Sequence, residues 1–267
     1  MAVSPSLFKP WVLITGASSG IGEVFARRFA REGWNTVLVA RSLDKLNTIA
    51  RFLEAENGAS TFVIGTDLIG REAPQYVYDQ TKQAGIKIEG LVNNAAFGAS
   101  GKFQDVELGR YLGMIDLNVR ALVELTRLFL NDLLLRKKGF ILNVSSVASF
   151  QPLNYSSVYS ATKAFVTSFS EALWLELKGT GVRVLNLCPG LTKTNFGNVA
   201  GGKDYRKEKF AESAEAVVET AFRALRGNQP TVISGWKNRI LVFLERLIPH
   251  RVLLWIIPYV QNIRKGL

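Results

Sequence analysis

Cysteine and histidine are almost absent from this chain, with Cys188 and His250 the single representatives of each. One cysteine excludes an intrachain disulfide framework. One histidine beside it leaves too few soft ligands for a structural or catalytic zinc site, so no metal is expected. Met1 to Pro10 lacks the basic flank and apolar core of a secretory leader, and the location expected is cytoplasmic. Internal repeats and low-complexity linkers are missing too. With 21% charged residues and ordinary Gly and Pro content, the chain has no signature of wholesale disorder.

What is present is enough apolar material for a full core: 48% of 267 residues, which suits one α/β domain better than two small ones. The formal net charge is +11. Such a balance suits a polyanionic cofactor, nucleic acid or an acidic membrane. No base-reading motif accompanies the charge, so nucleic-acid binding is not expected. Cys188 ends the apolar run from Val184 and reads as a small buried hydrophobe.

Apolar runs of strand length alternate with longer amphipathic stretches. Strands are expected at Trp11–Thr15, Thr36–Ala40, Thr61–Gly65, Gly90–Asn94, Gly139–Ser145, Arg183–Leu187 and Thr231–Ser234. Helices are expected at Ile21–Arg31, Leu43–Ala55, Glu72–Ala84, Leu117–Leu135, Val158–Leu177 and Ala214–Leu225. This alternation predicts an α/β fold: a doubly wound, mostly parallel seven-stranded sheet of Rossmann type, with helices on both faces and ligands beyond the carboxyl ends of the strands. Residues 1–236 form the expected cofactor-binding and catalytic domain, and 237–267 a basic amphipathic extension.

The first strand runs into Thr15-Gly16-Ala17-Ser18-Ser19-Gly20-Ile21-Gly22 and then a helix. Glycines at 16, 20 and 22 allow a tight turn, close approach to a pyrophosphate and close helix–strand packing. Backbone N–H groups around Ser18, Ser19 and Ile21 and the positive helix end then face the phosphates. At the end of the second strand, Ala40 takes the position where a carboxylate would bind ribose hydroxyls, and Arg41 follows. A guanidinium there suits a 2′-phosphate, so NADP(H) is expected.

Tyr159 and Lys163 are four apart in an expected helix and therefore share a face. An adjacent ammonium stabilises phenolate and makes the tyrosine a usable acid or base. Upstream, Asn143-Val144-Ser145-Ser146 closes the fifth strand, and alternation lets at most one serine point into the site.

Together, Thr-Gly-x-x-x-Gly-x-Gly, Asn93-Asn94-Ala95, the strand-end serines, Tyr-x-x-x-Lys and Pro189-Gly190 resemble the short-chain dehydrogenase/reductase superfamily over roughly Pro10 to Gly235. The scarcity of zinc ligands separates the chain from zinc-dependent alcohol dehydrogenases. The resemblance implies a catalytic tetrad of Asn118, Ser146, Tyr159 and Lys163, with Asn118 holding a water that links Lys163 to solvent. Tyr159 and Lys163 are also implied as cofactor contacts. It further implies adenine contact by Asp67, ribose contact by Asn93, backbone contacts from Leu191 and Thr192 to the nicotinamide carboxamide, and a side-chain contact from Thr194. Where the family has Asn-Asn-Ala-Gly, this chain has Ala96 in the last place.

The reaction implied is reversible reduction of a carbonyl to an alcohol, on a small-molecule substrate. Phe97, Phe150, Pro152, Leu153, Tyr155 and a lid over Phe196–Phe210 are pocket candidates, and their apolar character suggests a lipophilic ketone or aldehyde. Six basic residues against the lone acid Glu245 mark 237–267, interleaved with apolar runs and broken by Pro249 and Pro258. Two short amphipathic helices are expected there, either lying on an anionic membrane or buried against the domain or a second subunit. A homo-oligomer is the expected assembly. The competing reading is a nucleotide-sensing or membrane-associated binding protein on the same scaffold, without useful turnover.

Overall fold

The computed structural model describes residues 9–257, apart from 203 and 209. The chain begins β1 (Trp11–Thr15), α1 (Gly20–Arg31), β2 (Asn35–Ala40), α2 (Leu43–Asn57), β3 (Thr61–Gly65), α3 (Ala73–Gln83) and β4 (Ile88–Asn93). It continues α4 (Leu108–Ile115), α5 (Leu122–Arg136), β5 (Gly139–Val144), α6 (Ser157–Glu176) and β6 (Val182–Cys188). The last elements are α7 (Phe196–Val199), α8 (Ala214–Arg226), β7 (Thr231–Ile233) and α9 (Trp236–Leu247). Beyond a break at Ile248-Pro249, residues 250–257 are helical again. Residues Pro258 to Leu267 of the expected extension lie outside those described.

The seven strands form one sheet in the order β3-β2-β1-β4-β5-β6-β7, and every pairing is parallel. The strands read as continuous apolar runs because helices cover both faces. Along β1, Val12 and Ile14 enter one core cluster with α1 and α8, whereas Leu13 enters the other with α3 and α5. Leu38 and its neighbours Val37 and Val39 divide between the faces in the same way. The winding reverses between β1 and β4, which leaves a crevice above their carboxyl ends.

Two features depart from expectation. Helix formation begins at Leu108 rather than Leu117, because tertiary contacts of Tyr111 and Met114 outweigh the poor helix propensity of Gly109 and Gly113. Between α4 and α5, residues Asp116–Ala121 form a π-helical turn. Strand ends shift slightly: β4 starts at Ile88, and β5 stops at Val144, before both serines.

Candidate active site

The turn from β1 into α1 is built on close backbone contacts. Gly16 has φ +66°, and a Cβ on it would lie 2.9 Å from the Asn94 amide nitrogen and 3.0 Å from Ala95 Cα. A Cβ on Gly22 would meet the Gly16 carbonyl oxygen at 2.3 Å, well inside contact distance. Asn94 secures this packing by donating from its side chain to the Thr15 carbonyl (2.9 Å). The Thr15 hydroxyl in turn accepts from the N–H groups of Asn94 (3.0 Å) and Ala95 (2.9 Å). Gly16 and Ala17 both donate to the Val39 carbonyl. From Ser18 to Gly22 no backbone N–H finds an acceptor among the described residues, so the start of α1 presents open donors at its positive end.

Thr194 reaches this loop from the far side of the crevice. A Cβ on Gly20 would lie 3.1 Å from the Thr194 methyl, so the segment after β6 and the glycine turn nearly touch. Backbone bonds with Glu212 brace that segment: Glu212 N–H donates to Leu191 O (2.9 Å) and Lys193 N–H to Glu212 O (2.8 Å). The Thr192 hydroxyl is turned back on Gly190 O (3.0 Å), while the Thr194 hydroxyl accepts from Phe196 N–H (3.3 Å).

At the other end of the crevice Arg41 and Asp67 lie opposite one another, with guanidinium and carboxylate 3.8 Å apart. Asp67 also accepts the Ile69 N–H at 3.1 Å. The Arg41 side chain is 71% exposed, so this ion pair is weak and readily exchanged for another anion. Asn93 does not bring its side chain to the ligand edge. It stands in register with Asn143 in the sheet, 4% exposed, and its amide donates to Thr126 Oγ1 (3.0 Å) and Asn143 Oδ1 (2.9 Å). Only its backbone remains for a ribose, because pleat alternation turns the side chain toward α5.

Ser146, Tyr159 and Lys163 converge beyond the end of β5. Tyr159 and Lys163 are one turn apart in α6, and the Lys163 ammonium lies 5.9 Å from the Tyr159 ring centre. Lys163 is 3% exposed and donates to the Val144 carbonyl at 2.8 Å. Burial pushes its pKa down to about 8. Burial likewise drives the Tyr159 phenol well above its usual range, and the Ser146 hydroxyl facing it pulls in the opposite direction. The ammonium was expected to lower the phenol. In the folded chain desolvation sets the direction, the opposing pull comes from Ser146 rather than from Lys163, and Tyr159 is held as the neutral acid. Ser146 itself accepts from Ala148 N–H (3.1 Å) and donates to Pro189 O (3.4 Å), which ties β5 to the turn after β6.

Ser145 points the other way. Its hydroxyl donates to the Lys163 carbonyl (2.8 Å) and meets Thr167 Oγ1 (2.9 Å), supporting α6 from beneath. Cys188 adjoins this buried polar group, and burial raises its thiol to about 11, which leaves it unreactive at neutral pH. Asn118 sits in the π-helical turn. Its side chain pairs with both backbone groups of Phe97 (3.2 and 3.0 Å) and donates to Thr162 Oγ1 (3.1 Å). It therefore locks the loop after β4 to α6, one residue from Lys163. A π-turn interrupts the regular helical ladder and is often found at functional sites. The residue string offers one hint of it, an asparagine, a poor helix former, inside a stretch of helical pattern.

Of the pocket candidates, Phe97 packs against the core cluster of Ala99, Tyr111 and Met114, the same cluster that Val158 and Tyr159 pack against. Phe196 places its ring 5.6 Å from that of Tyr159. Tyr205, within the expected lid, is close enough to oppose ionisation of Tyr159, a role that its residue type alone does not signal. Phe150 instead lies under Arg246 of α9, and Pro152 is exposed.

Comparison with known proteins agrees with this geometry. The family model described as short chain dehydrogenase matches residues 10–203. Sulfoacetaldehyde reductase 2 of Chromohalobacter salexigens is 40% identical over 195 residues, covering 72% of this chain and 77% of that protein. Mouse 17-beta-hydroxysteroid dehydrogenase type 3 is 34% identical over 218 residues, covering 80% and 68% respectively. Among solved structures, a short-chain dehydrogenase from Sphingobium yanoikuyae in complex with NADPH superposes with a TM-score of 0.79. Its identity is 33%, and the match covers 84% of this chain and 87% of that one. With the glycine turn, the parallel sheet and the Ser-Tyr-Lys cluster in place, the chain belongs to the short-chain dehydrogenase family, whose members are nicotinamide-dependent oxidoreductases acting on CH–OH and C=O groups.

Proposed function

We propose that this enzyme is an NADP(H)-preferring carbonyl reductase in which Tyr159 is the proton donor. The observation that carries this reading is the convergence of the half-buried Tyr159 and Ser146 with the buried Lys163, in a chain that also presents an open glycine turn. The donors at Ser18–Gly22, the absence of bulk at Gly16, Gly20 and Gly22, and Arg41 after Ala40 together fit a phosphorylated dinucleotide. The NADPH in the Sphingobium structure supports the same preference. When bound, the nicotinamide would supply the hydride, the chemistry that no side chain here can provide.

The remaining steps fall to the protein. Ser146 holds the substrate oxygen and stabilises the charge that develops on it. Tyr159, kept neutral by burial, gives that oxygen a proton from its hydroxyl. Lys163 stabilises the resulting phenolate, and Asn118, fixed on the Phe97 backbone and the Thr162 hydroxyl, holds a water that links Lys163 to solvent for proton return. Leu191, Thr192 and Thr194 orient the carboxamide, while Asp67 and the Asn93 backbone line the adenosine end. Because the Arg41–Asp67 pair is exposed, a 2′-phosphate can displace the carboxylate from Arg41. Phe196 beside Tyr159, and Phe97 on the same apolar cluster, favour a lipophilic ketone or aldehyde. Exposed Leu108, Leu112 and Ile115 at helical spacing on α4 support self-association into a homo-oligomer.

NADPH oxidation with a panel of ketones and aldehydes, run beside Tyr159→Phe, tests the assignment. Loss of about 10²- to 10⁴-fold in kcat with cofactor affinity retained is expected. Unchanged turnover without the phenol would rule out the proposed acid. Binding of NADPH with no turnover across the panel would favour the nucleotide-sensing alternative.

A further inference from the structure

The amphipathic pattern after Gly235 leaves its apolar partner open, and the fold narrows the choice. α9 is anchored by one face only: Val242 is 2% exposed, and Asn238 packs against Gly190 and donates to Ser234 O (2.8 Å). The opposite face carries Trp236, Ile240, Phe243, Leu244 and Leu247, which fall within about 100° of arc on a helix of 3.6 residues per turn. Trp236, Phe243 and Leu247 are 67, 61 and 65% exposed. The helical segment 250–257 repeats the arrangement, with Leu253 and Ile257 buried and Trp255 at 78% exposure. Phe210 adjoins the stripe, since the Lys237 ammonium lies 4.9 Å from its ring centre and 5.6 Å from that of Trp236. Scattered exposed hydrophobics are ordinary, but a continuous aromatic stripe of this kind marks a binding surface.

The charges around the stripe identify what it meets. Lys237 borders it on one side and Arg239 and Arg246 on the other, with Arg251 following beyond the break. Glu245, the one acid between Trp236 and Ile257, falls on the far side of α9. A second copy docking about a twofold axis would bring these basic flanks together with no acid in the stripe to pair them. A bilayer with anionic headgroups satisfies both components, because apolar groups enter the acyl boundary while Lys and Arg remain at the phosphates. Among the described residues no helix is long and apolar enough to cross a membrane, so the geometry is that of a helix pair lying on a surface.

We propose that α9 and the segment 250–257, with Phe210, form a docking surface for anionic lipid bilayers. The helix that carries the stripe is anchored through Asn238 on the turn with Gly190, and its Arg246 lies over Phe150, so the docking surface stands on the outer side of an element that borders the catalytic edge.

Flotation of the full chain with vesicles of phosphatidylcholine, alone or mixed with phosphatidylglycerol, tests this without cofactor or substrate. Failure of the carbonyl-reductase assignment therefore leaves its outcome untouched. The chain is expected to float with the anionic vesicles and to be released by salt. Lys237→Gln with Arg251→Gln should weaken binding by about 25-fold, at roughly fivefold per basic residue. Phe243→Ser with Leu247→Ser should abolish flotation while leaving the thermal midpoint and NADPH affinity as in the parent, since both positions are exposed. No flotation with either vesicle overturns the proposal. So does a parent chain that stays unbound while the Phe243→Ser, Leu247→Ser variant loses a dimer in light scattering, which assigns the stripe to a second copy.

Discussion

Replacing Lys163 with methionine separates what the ammonium does for catalysis from what it costs the fold. Burial lowers this pKa from 10.5 to about 8, a penalty on the charged form of about 3 kcal/mol at roughly 1.4 kcal/mol per unit. The variant removes that penalty and fills the same volume with a flexible apolar chain. It also strands the Val144 carbonyl, which accepts from Nζ at 2.8 Å, at a cost of about 1–3 kcal/mol. The net expectation at pH 7 is a protein as stable as the parent or up to about 2 kcal/mol more stable, yet inactive. Urea denaturation across pH gives a sharper reading. Between pH 8 and the unfolded value of 10.5, the unfolded chain binds a proton at Lys163 that the folded chain does not. Parent stability therefore rises with pH over that interval relative to Lys163→Met, by about 2 kcal/mol at pH 9.5. Parent and variant curves that stay parallel from pH 7 to 9.5, or that converge with the opposite sign, would refute the claim that burial depresses this lysine.

The same titration should appear in turnover: kcat/KM is expected to decline about tenfold per pH unit above about 8 as the ammonium is lost, and a flat profile to pH 9.5 would contradict it. Arg41→Ala should weaken NADPH by about 10- to 100-fold, the range of a charge-assisted contact, with little change for NADH; equal losses would mean that Arg41 does not read a 2′-phosphate. Gly22→Ala places a methyl 2.3 Å from the Gly16 carbonyl and should cost about 1–3 kcal/mol in denaturation while opening the turn and abolishing cofactor binding. Ser146→Ala should lower kcat by about 10²-fold or more with NADPH affinity unchanged, and an equal loss of NADPH affinity would assign it a structural role instead.

Much of the scaffold is legible in the residue order because its signals are local. The apolar runs around Leu13, Leu38 and Leu91 declare buried parallel strands, and the spacing of Gly16, Gly20 and Gly22 between strand and helix declares the turn. Tyr159 and Lys163 share a face by helical periodicity alone, and pleat alternation is enough to send Ser145 and Ser146 in different directions. The family resemblance, rather than the pattern, selected Ser146 and Asn118.

Other features depend on which distant segments meet. Asn93 turns into the sheet because it stands opposite Asn143, fifty residues away. Arg41 and Asp67 are paired because β2 and β3 end side by side. Thr194 reaches Gly20 only when the turn after β6 folds over the crevice, and the π-helical turn at Asn118 exists in the company of Phe97 and Thr162. Desolvation is likewise a property of the assembled core: it makes Tyr159 a stronger holder of its proton and Lys163 a weaker one, against the simple expectation for neighbouring phenol and ammonium. Residue order thus determined the secondary elements and the chemistry available to them. Tertiary packing decided which groups are dry, which are paired, and that one face of α9 is left exposed, since burial and contact between distant segments cannot be read from local spacing.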